Sequence, residues 1–375
     1  MRGLRILITN HFLRGRTGSE LYVCELATSL LRRGHTPIVY SPQLGPTARE
    51  LRKTTVPVVD DLDAVGSPPD LIHGQHHVET MSALLRFPNT PAVFFCHGWL
   101  PWEETPPKHP RIVRYVAVDD TCFDRLVSES GIPVDRVSVI LNSVDLKQFV
   151  PRAPLPLKPA RALVFSNGAK ESTHLGAVRE ACFRSGLTLD VIGADAGNVS
   201  TRPQEVLGQY DIVFAKARCA LEAMAVGSAV VLCDITGAGP MVSTAEFDKL
   251  RRLNFGIRTL SRNIDAGVLE REIARYDARD ASEVSQRVRA TAGRDAAIDQ
   301  ILALYQEVVA AFDGAERDHE AEGRAEAVYL RDLTTFFEAE RAAILDSRTF
   351  RWRKRMLNSP FAGSLLRSIA SKFRH

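Results

Sequence analysis

Residues 210–240 read YDIVFAKARCALEAMAVGSAVVLCDITGAGP. Asp211 to Ala215 is a short β-type run. Arg218 to Val226 has helical composition (Ala, Leu, Met, Glu), and Gly227 stands where a left-handed helix stop is wanted. Ala229 to Cys233 is a continuous apolar run, as in a parallel strand covered on both faces. The stretch is therefore β–α–β, with Gly237 and Gly239 expected in the loop after the second strand. Glu222 is the anomaly. It lies among Leu221, Ala223, Met224 and Val226, on a helix with almost no polar face, where a carboxylate is costly unless paired. Two readings stand: a helix-end Glu that escapes to solvent, or a ligand contact in the crevice where strand ends meet helix starts.

The chain of 375 residues has room for two domains and an appendage. Hydrophobic residues make up 45% and charged residues 25%, ordinary for a globular protein. The net charge of +3 implies no whole-chain binding of polyanions, but it hides an asymmetry. Residues 347–375 carry eight Lys or Arg and no acid, which leaves 40 basic against 45 acidic residues elsewhere. A basic end on an acidic body points to an anionic surface as partner. The six cysteines form no CxxC pair and read as buried, reduced thiols of a cytosolic protein. The opening apolar run, Leu4 to Thr9, is too short for a signal peptide, and no run approaches a membrane span.

Working outward, Leu4 to Thr9 is a buried strand followed by a Gly-containing loop (residues 10–19) and a helix over residues 20–33. Thr17 and Glu20 fit a capping box, which starts that helix near Gly18. Strand, Gly loop and free helix N-terminus together can cradle a phosphate. Further strands are predicted at residues 36–41, 56–60, 70–73, 91–96, 112–118 and 137–141. His73, His76 and His77 fall within five residues, but zinc sites want convergent spacing and a carboxylate or Cys partner. His97-Gly98 follows a strand end, where Gly permits close backbone approach. Residues 99–103 (WLPWE) read either as an acceptor-side lid or as an ordinary Pro-rich surface loop. The Pro-rich residues 151–159 are a linker. A second domain then begins at Ala162, with a strand to Ser166, the loop 167–171, a helix to about Ser185 and a strand over residues 187–192.

Leu221 to Val231 (LEAMAVGSAVV) resembles the LEAMAxGxPVV signature of retaining glycosyltransferases with the GT-B fold, family 4. Three more stretches resemble that family: residues 17–35 its GGxE…LAxxLxxRGHxV opening, residues 70–77 its DIIHxHH strand end, and residues 140–149 its IPNGVDxxxF segment. The resemblance covers residues 1–312. It implies an α/β fold of two Rossmann-like domains facing across a cleft: residues 1–150 on the acceptor side, a linker over 151–160, and a nucleotide-sugar-binding domain over 161–295. The second domain should be shortened, because only about twenty residues separate the strand at 187–192 from Asp211. A helix over 296–312 would cross back to the first domain, leaving 313–375 as a helical tail.

The resemblance also implies roles. Glu222 would hold the ribose of the donor, and His97 would face the donor sugar and the reacting centre. Gly18 would border the donor phosphates, with Thr17 replacing the first glycine of the family pair. Lys170 would take the diphosphate, with Asn167 near the family's Arg position. The family's second Glu, eight positions before Glu222, falls on Phe214. Lys216 and Arg218 stand just after it and would suit a diphosphate. No metal or other cofactor is implied. The expected reaction is sugar transfer with retention from a nucleotide-sugar to a glycan or lipid-linked acceptor, in cell-surface polysaccharide synthesis. Two alternatives remain: epimerase-like chemistry on the nucleotide-sugar, or a non-catalytic scaffold of a glycan-assembly complex. The basic, aromatic-rich residues 347–375 fit an interfacial anchor of a cytoplasmic, peripheral protein better than a helical tail docked on the body, and better again than a nucleic-acid reader, for which no motif is present.

Overall fold

The computed structural model describes residues 3–347. The expected basic anchor, beyond its first residue, lies outside them. Two sheets organise the chain. The first has seven parallel strands: β1 (Arg5–Thr9), β2 (Thr36–Tyr40), β3 (Val58–Val59), β4 (Leu71–Gly74), β5 (Ala92–Cys96), β6 (Ile112–Ala117) and β7 (Val137–Val139). Their order is β3-β2-β1-β4-β5-β6-β7. The second holds β8 (Arg161–Phe165), β9 (Thr188–Ile192), β10 (Ile212–Ala215), β11 (Ala229–Asp234) and β12 (Gly237–Met241), in the order β12-β11-β10-β8-β9. In both, the order reverses beside the first strand, which opens a crevice at the strands' C-terminal ends.

The helices are α1 (Gly18–Arg32), α2 (Pro46–Arg52), α3 (His77–Arg86), α4 (Asp120–Asp124), α5 (Leu175–Arg184) and α6 (Ala217–Val226). Then follow α7 (Phe247–Arg252), α8 (Ala266–Ile273), α9 (Ala278–Thr291), α10 (Arg294–Asp313) and α11 (His319–Asp346). α6 ends where a left-handed stop was expected: Gly227 has φ 103° and its N–H bonds back to Ala223 and Met224. β10 explains the short apolar run at 211–215. Val213 and Ala215 enter the core that α6 and α9 cover, whereas Ile212 and Phe214 enter the opposite core, under α5 and α8.

α10 returns to the first sheet. Ile298, Ile301, Tyr305 and Val308 pack with Ile6, Ile8, Val93 and Phe95. The Tyr305 hydroxyl and His73 Nδ1 are hydrogen-bonded at 2.6 Å in that core. Between β9 and β10 the described chain forms only two 3-10 turns, Pro203–Glu205 and Leu207–Gln209, so the second α/β layer is short.

Gly237 and Gly239 are not in a loop, as expected, but in β12, which pairs antiparallel with β11. The composition GAGPM hides a strand because neighbouring backbone comes too close for side chains. A Cβ on Gly239 would stand 2.6 Å from the Thr259 carbonyl oxygen, and one on Gly237 2.7 Å from that of Leu260.

Among the described residues, 107–110 and 316–347 form a separate compact unit. Its helix α11 is capped by Asp318, whose carboxylate accepts from the Ala321 N–H at 2.8 Å. Arg317 pairs with Glu322 at 2.8 Å.

Candidate active site

A cavity of about 530 Å³ opens between the two sheets. The first sheet's side supplies Gly18, Tyr22 and Glu25 from α1, His97 and Gly98 after β5, and the turn with Glu103 and Glu104. The opposite side supplies Ala217 and Arg218 from α6, and Arg294, at the start of the returning helix α10, borders the cavity as well. Three of the expected site residues therefore meet at one cavity: Gly18, His97 and Arg218.

The loop before α1 is organised by its own carboxylate. Glu20 accepts from the Gly15 N–H at 2.6 Å and the Thr17 N–H at 2.8 Å. Those two amides are spent, and the helix N-terminus meets the cavity at Gly18 and Ser19.

Glu222 is 4% exposed, so it does not escape to solvent. Burial raises its carboxyl above the ordinary value, against the pull of Arg218. Arg218, one turn earlier, donates from Nε to Glu222 Oε1 at 2.7 Å. Its Nη1 reaches Glu25 Oε2 on α1 at 2.9 Å. Arg294 adds a second cation to Glu25, at 2.7 Å, and reaches Asp145 at 3.1 Å. Three carboxylates thus share two guanidiniums. Burial opposes the Arg218 charge, but the two carboxylates outweigh it and hold its pKa above the ordinary value. In this structure Arg218 is held by Glu222 and Glu25, and it stands between Glu222 and the cavity.

The other expected donor residues lie at the C-terminal ends of β8 and β10, outside the cavity lining. Lys216 Nζ pairs with Asp234 Oδ2 at 2.5 Å, and Ser166 Oγ donates to Asp234 Oδ1 at 2.6 Å. Burial pushes the Asp234 carboxyl up, but Lys216 and Ser166 bring it below its ordinary value. Lys170 pairs with Asp195 at 3.0 Å, and Asn167 Oδ1 accepts from the Ala194 N–H at 3.3 Å. His174, fully buried beside this group, has no hydrogen-bond partner on either ring nitrogen.

Phe214, eight positions before Glu222, lies inside β10, as the β-type run at 211–215 predicted, and its ring lies in the core on the far side from α6. A single residue, Lys216, joins β10 to α6, and Ala217 takes φ 50° to make that turn. The connection has no length for a carboxylate-bearing loop.

His97 closes the first-domain side. Its ring lies 4.4 Å from that of Tyr22, and burial, with His76 nearby, lowers its pKa to about 3. Neither His97 Nε2 nor the Tyr22 hydroxyl has a hydrogen-bond partner. The His97 backbone N–H donates to Glu104 Oε2 at 2.9 Å. Arg125 clamps the intervening loop through the carbonyls of Gly98 and Pro101, the latter at 2.9 Å. The neighbouring histidines do not converge. His73 bonds Tyr305, and His76 Nδ1 accepts from the His11 N–H at 2.9 Å. Among the described residues, no group of three His, Cys, Asp or Glu could hold a metal ion.

Glu25, Arg294 and Glu104 are site residues that sequence reasoning missed. Glu25 and Arg294 lie in ordinary helical patterns with no motif around them. Glu104 directly follows the aromatic loop at 99–103, so its place was visible and its burial was not.

This architecture is the GT-B fold, built from two Rossmann-like sheets. Residues 16–148 match the family model Glycosyltransferase Family 4, a span that holds α1 with Gly18, strands β2 to β7 and His97 but not β1. Among solved structures, a glycosyltransferase from Rickettsia africae ESF-5 superposes with a TM-score of 0.62 at 17% identity, over 82% of this chain and 99% of that one. HepE of Anabaena, solved with UDP and glucose, gives 0.57 at 14% identity, over 81% and 99%. A Listeria monocytogenes protein assigned as a UDP-N-acetylglucosamine 2-epimerase gives 0.51 at 11%, over 85% and 100%. At these identities the likeness is one of fold. No curated protein matches the sequence. No helix among the described residues is long and apolar enough to cross a membrane.

Proposed function

We propose that the chain transfers a sugar from a nucleotide-sugar donor to a hydroxyl acceptor bound on the first-domain side of the cleft. One observation carries this reading: Gly18, His97 and Arg218 come from opposite sides of the cleft and border a single cavity. The nucleotide would lie along the ends of β8 and β10. Lys170 and Lys216 would carry the diphosphate, Asn167 would orient it, and Glu222 would take the ribose. Each lysine is now paired with an aspartate, so the diphosphate would compete for a cation already oriented toward the crevice. Charge that develops on the leaving diphosphate would be stabilised by these fixed cations. The neutral imidazole of His97, with Nε2 unpartnered, would border the reacting centre, where donor sugar and acceptor meet, as a hydrogen-bonding group rather than as a cation. Retention of configuration, the absence of a metal requirement, a glycan or lipid-linked acceptor and a peripheral membrane location follow the family resemblance and belong to this proposal.

A second reading draws on the one-residue connection at Lys216, which leaves no loop carboxylate for the donor sugar. It makes the chain a nucleotide-sugar-binding protein with little or no transfer. Calorimetric titration with UDP, GDP, ADP and their common sugars tests the donor site in wild type and Glu222→Ala. One nucleotide should bind with micromolar affinity and lose it in the variant. An absence of binding across the panel overturns the donor site. Donor binding without transfer to any acceptor or to water favours the second reading.

A further inference from the structure

The first-domain wall of the cavity contains a carboxylate that the donor does not need. Glu104 lines the cavity and is 4% exposed. Its Oε2 is anchored by the His97 N–H at 2.9 Å, and its Oε1 stands 3.7 Å from His76 Nε2. Beside it, the Tyr22 hydroxyl and His97 Nε2 are buried polar atoms without partners, and both residues border the same cavity. Buried polar atoms left unpaired in a folded protein call for a ligand or water to satisfy them.

The charge on this wall narrows the ligand class. Burial lowers His76 to about 4 and His97 to about 3, so both imidazoles are neutral near pH 7. The two arginines that border the cavity are committed: Arg218 to Glu222 and Glu25, Arg294 to Glu25 and Asp145. Glu103 adds another carboxylate. Among the described lining residues, no uncommitted cation remains for an anionic acceptor. The wall instead offers a carboxyl, neutral imidazoles and a phenol beside aromatic faces, a set suited to the hydroxyls and apolar faces of a sugar.

From this we infer that Glu104, with Tyr22 and His97, binds an uncharged sugar as the acceptor and excludes anionic ones such as uronic acids and sugar phosphates. The inference names the acceptor class and rests on the transfer reading, but the wall can be tested without a donor. The Glu104 carboxyl accepts from one acceptor hydroxyl, and the Tyr22 hydroxyl and His97 Nε2 take two more positions. A carboxylate on the ligand would face Glu103, and a Glu104 site that already disfavours a buried negative charge, with no uncommitted cation among the described lining residues.

The test is direct glycoside binding to the full chain, by saturation-transfer NMR with competition titration, with and without the nucleotides named above. The probes are methyl glucoside, methyl galactoside, methyl N-acetylglucosaminide and methyl glucuronide. At least one neutral glycoside should bind, and the glucuronide should bind about tenfold more weakly or not at all. Glu104→Gln keeps the shape and an acceptor for the His97 N–H. It should weaken the neutral glycoside by about tenfold and leave any nucleotide Kd within about twofold. Tyr22→Phe, which removes only the orphan hydroxyl, should weaken the glycoside in the same direction. Glucuronide binding as tight as the neutral glycosides overturns the inference. So does glycoside affinity unchanged in both variants, or no glycoside binding at all. Failure of the nucleotide titration with glycoside binding intact would instead remove the donor site and leave this wall standing.

Discussion

Arg218 and Glu25 are 193 residues apart and 2.9 Å from each other. The pair joins α6 of the second sheet to α1 of the first across the cleft. Arg218 also holds Glu222, so the carboxylate expected at the ribose and the contact between the two halves depend on one guanidinium. A donor that engages Glu222 must act on the same charge that links the halves.

Removing that charge should be costly. Arg218→Ala leaves Glu222 buried and Glu25 short of a partner. About a quarter of the Arg218 side chain is exposed, so the loss should fall near the low end of the range for buried pairs, about 2–3 kcal/mol. Denaturant titration measures it, and Glu25→Gln in the Arg218→Ala background should recover part of it. Strict additivity of the two changes would show that the pair is not coupled.

Glu104 makes a pH signature. Burial, aided by Glu103 and opposed by the His97 N–H and Arg125, raises its pKa from 4.5 to about 7. Between those values the folded state keeps a proton that the unfolded state has released. Its contribution is therefore present below pH 4.5 and is lost as pH rises toward 7, by on the order of 3 kcal/mol. His76 and His97, lowered by burial, slope the opposite way, so the difference between wild type and Glu104→Gln is the quantity to measure. A difference that stays flat from pH 4.5 to 7 would refute the assignment.

Installing the family's missing carboxylate by Phe214→Glu should not create a sugar contact. The side chain would enter the core under α5 and α8, and a buried unpaired charge added to a lost aromatic should cost more than about 4 kcal/mol. Thermal melting is the check: a stable, active Phe214→Glu protein would mean that the strand assignment is wrong.

Lys216→Ala removes the cation from Asp234. The variant should lose nucleotide affinity by about tenfold or more, as expected for a charge-assisted contact. It should also change the acid limb of stability. Asp234 is held below its ordinary pKa, so its contribution is present above about 3.8 and lost as pH falls through the lower folded value. Without Lys216 that loss should begin at higher pH. An unchanged Kd for the nucleotide would remove Lys216 from the donor site.

His97→Ala should reduce transfer by about a hundredfold and leave nucleotide Kd within about twofold, because its ring borders the cavity and not the β8 and β10 ends. Parallel loss of both in steady-state and binding measurements would place it with the nucleotide instead.

Much of the fold was legible because its signals are local. The apolar runs of β1, β5 and β11 and the capping residues of α1 each fall within a few residues, and Gly227 marked the end of α6. β12 was not legible, since GAGPM reads as a turn until Thr259 and Leu260 come alongside. Within the site, Glu222 announced itself as a charge on an apolar helix. Its partner was four residues away and was assigned elsewhere, because nothing local shows that Glu25 would compete for Arg218. Phe214 lies in the strand that the apolar run at 211–215 predicted, but the one-residue step from that strand to α6 through Lys216 was not legible, because Ala217 reads as an ordinary helix former until its backbone makes the turn.

The chain passes between the two sheets twice, once after β7 and once before α10, and the passages touch. The Val144 N–H bonds the Ala292 carbonyl at 2.8 Å, and the Arg294 N–H bonds the Val144 carbonyl at 3.0 Å. A hinge with two leaves pinned at one place can swing but cannot slide. Motion that opens or shuts the cleft should therefore be a rotation about Val144, widest at the far rim near Arg16 and Thr201 and smallest beside Arg294. The cation nearest the pin would keep its carboxylates through the swing, while Arg218, farther along the lever, would be the one to let go.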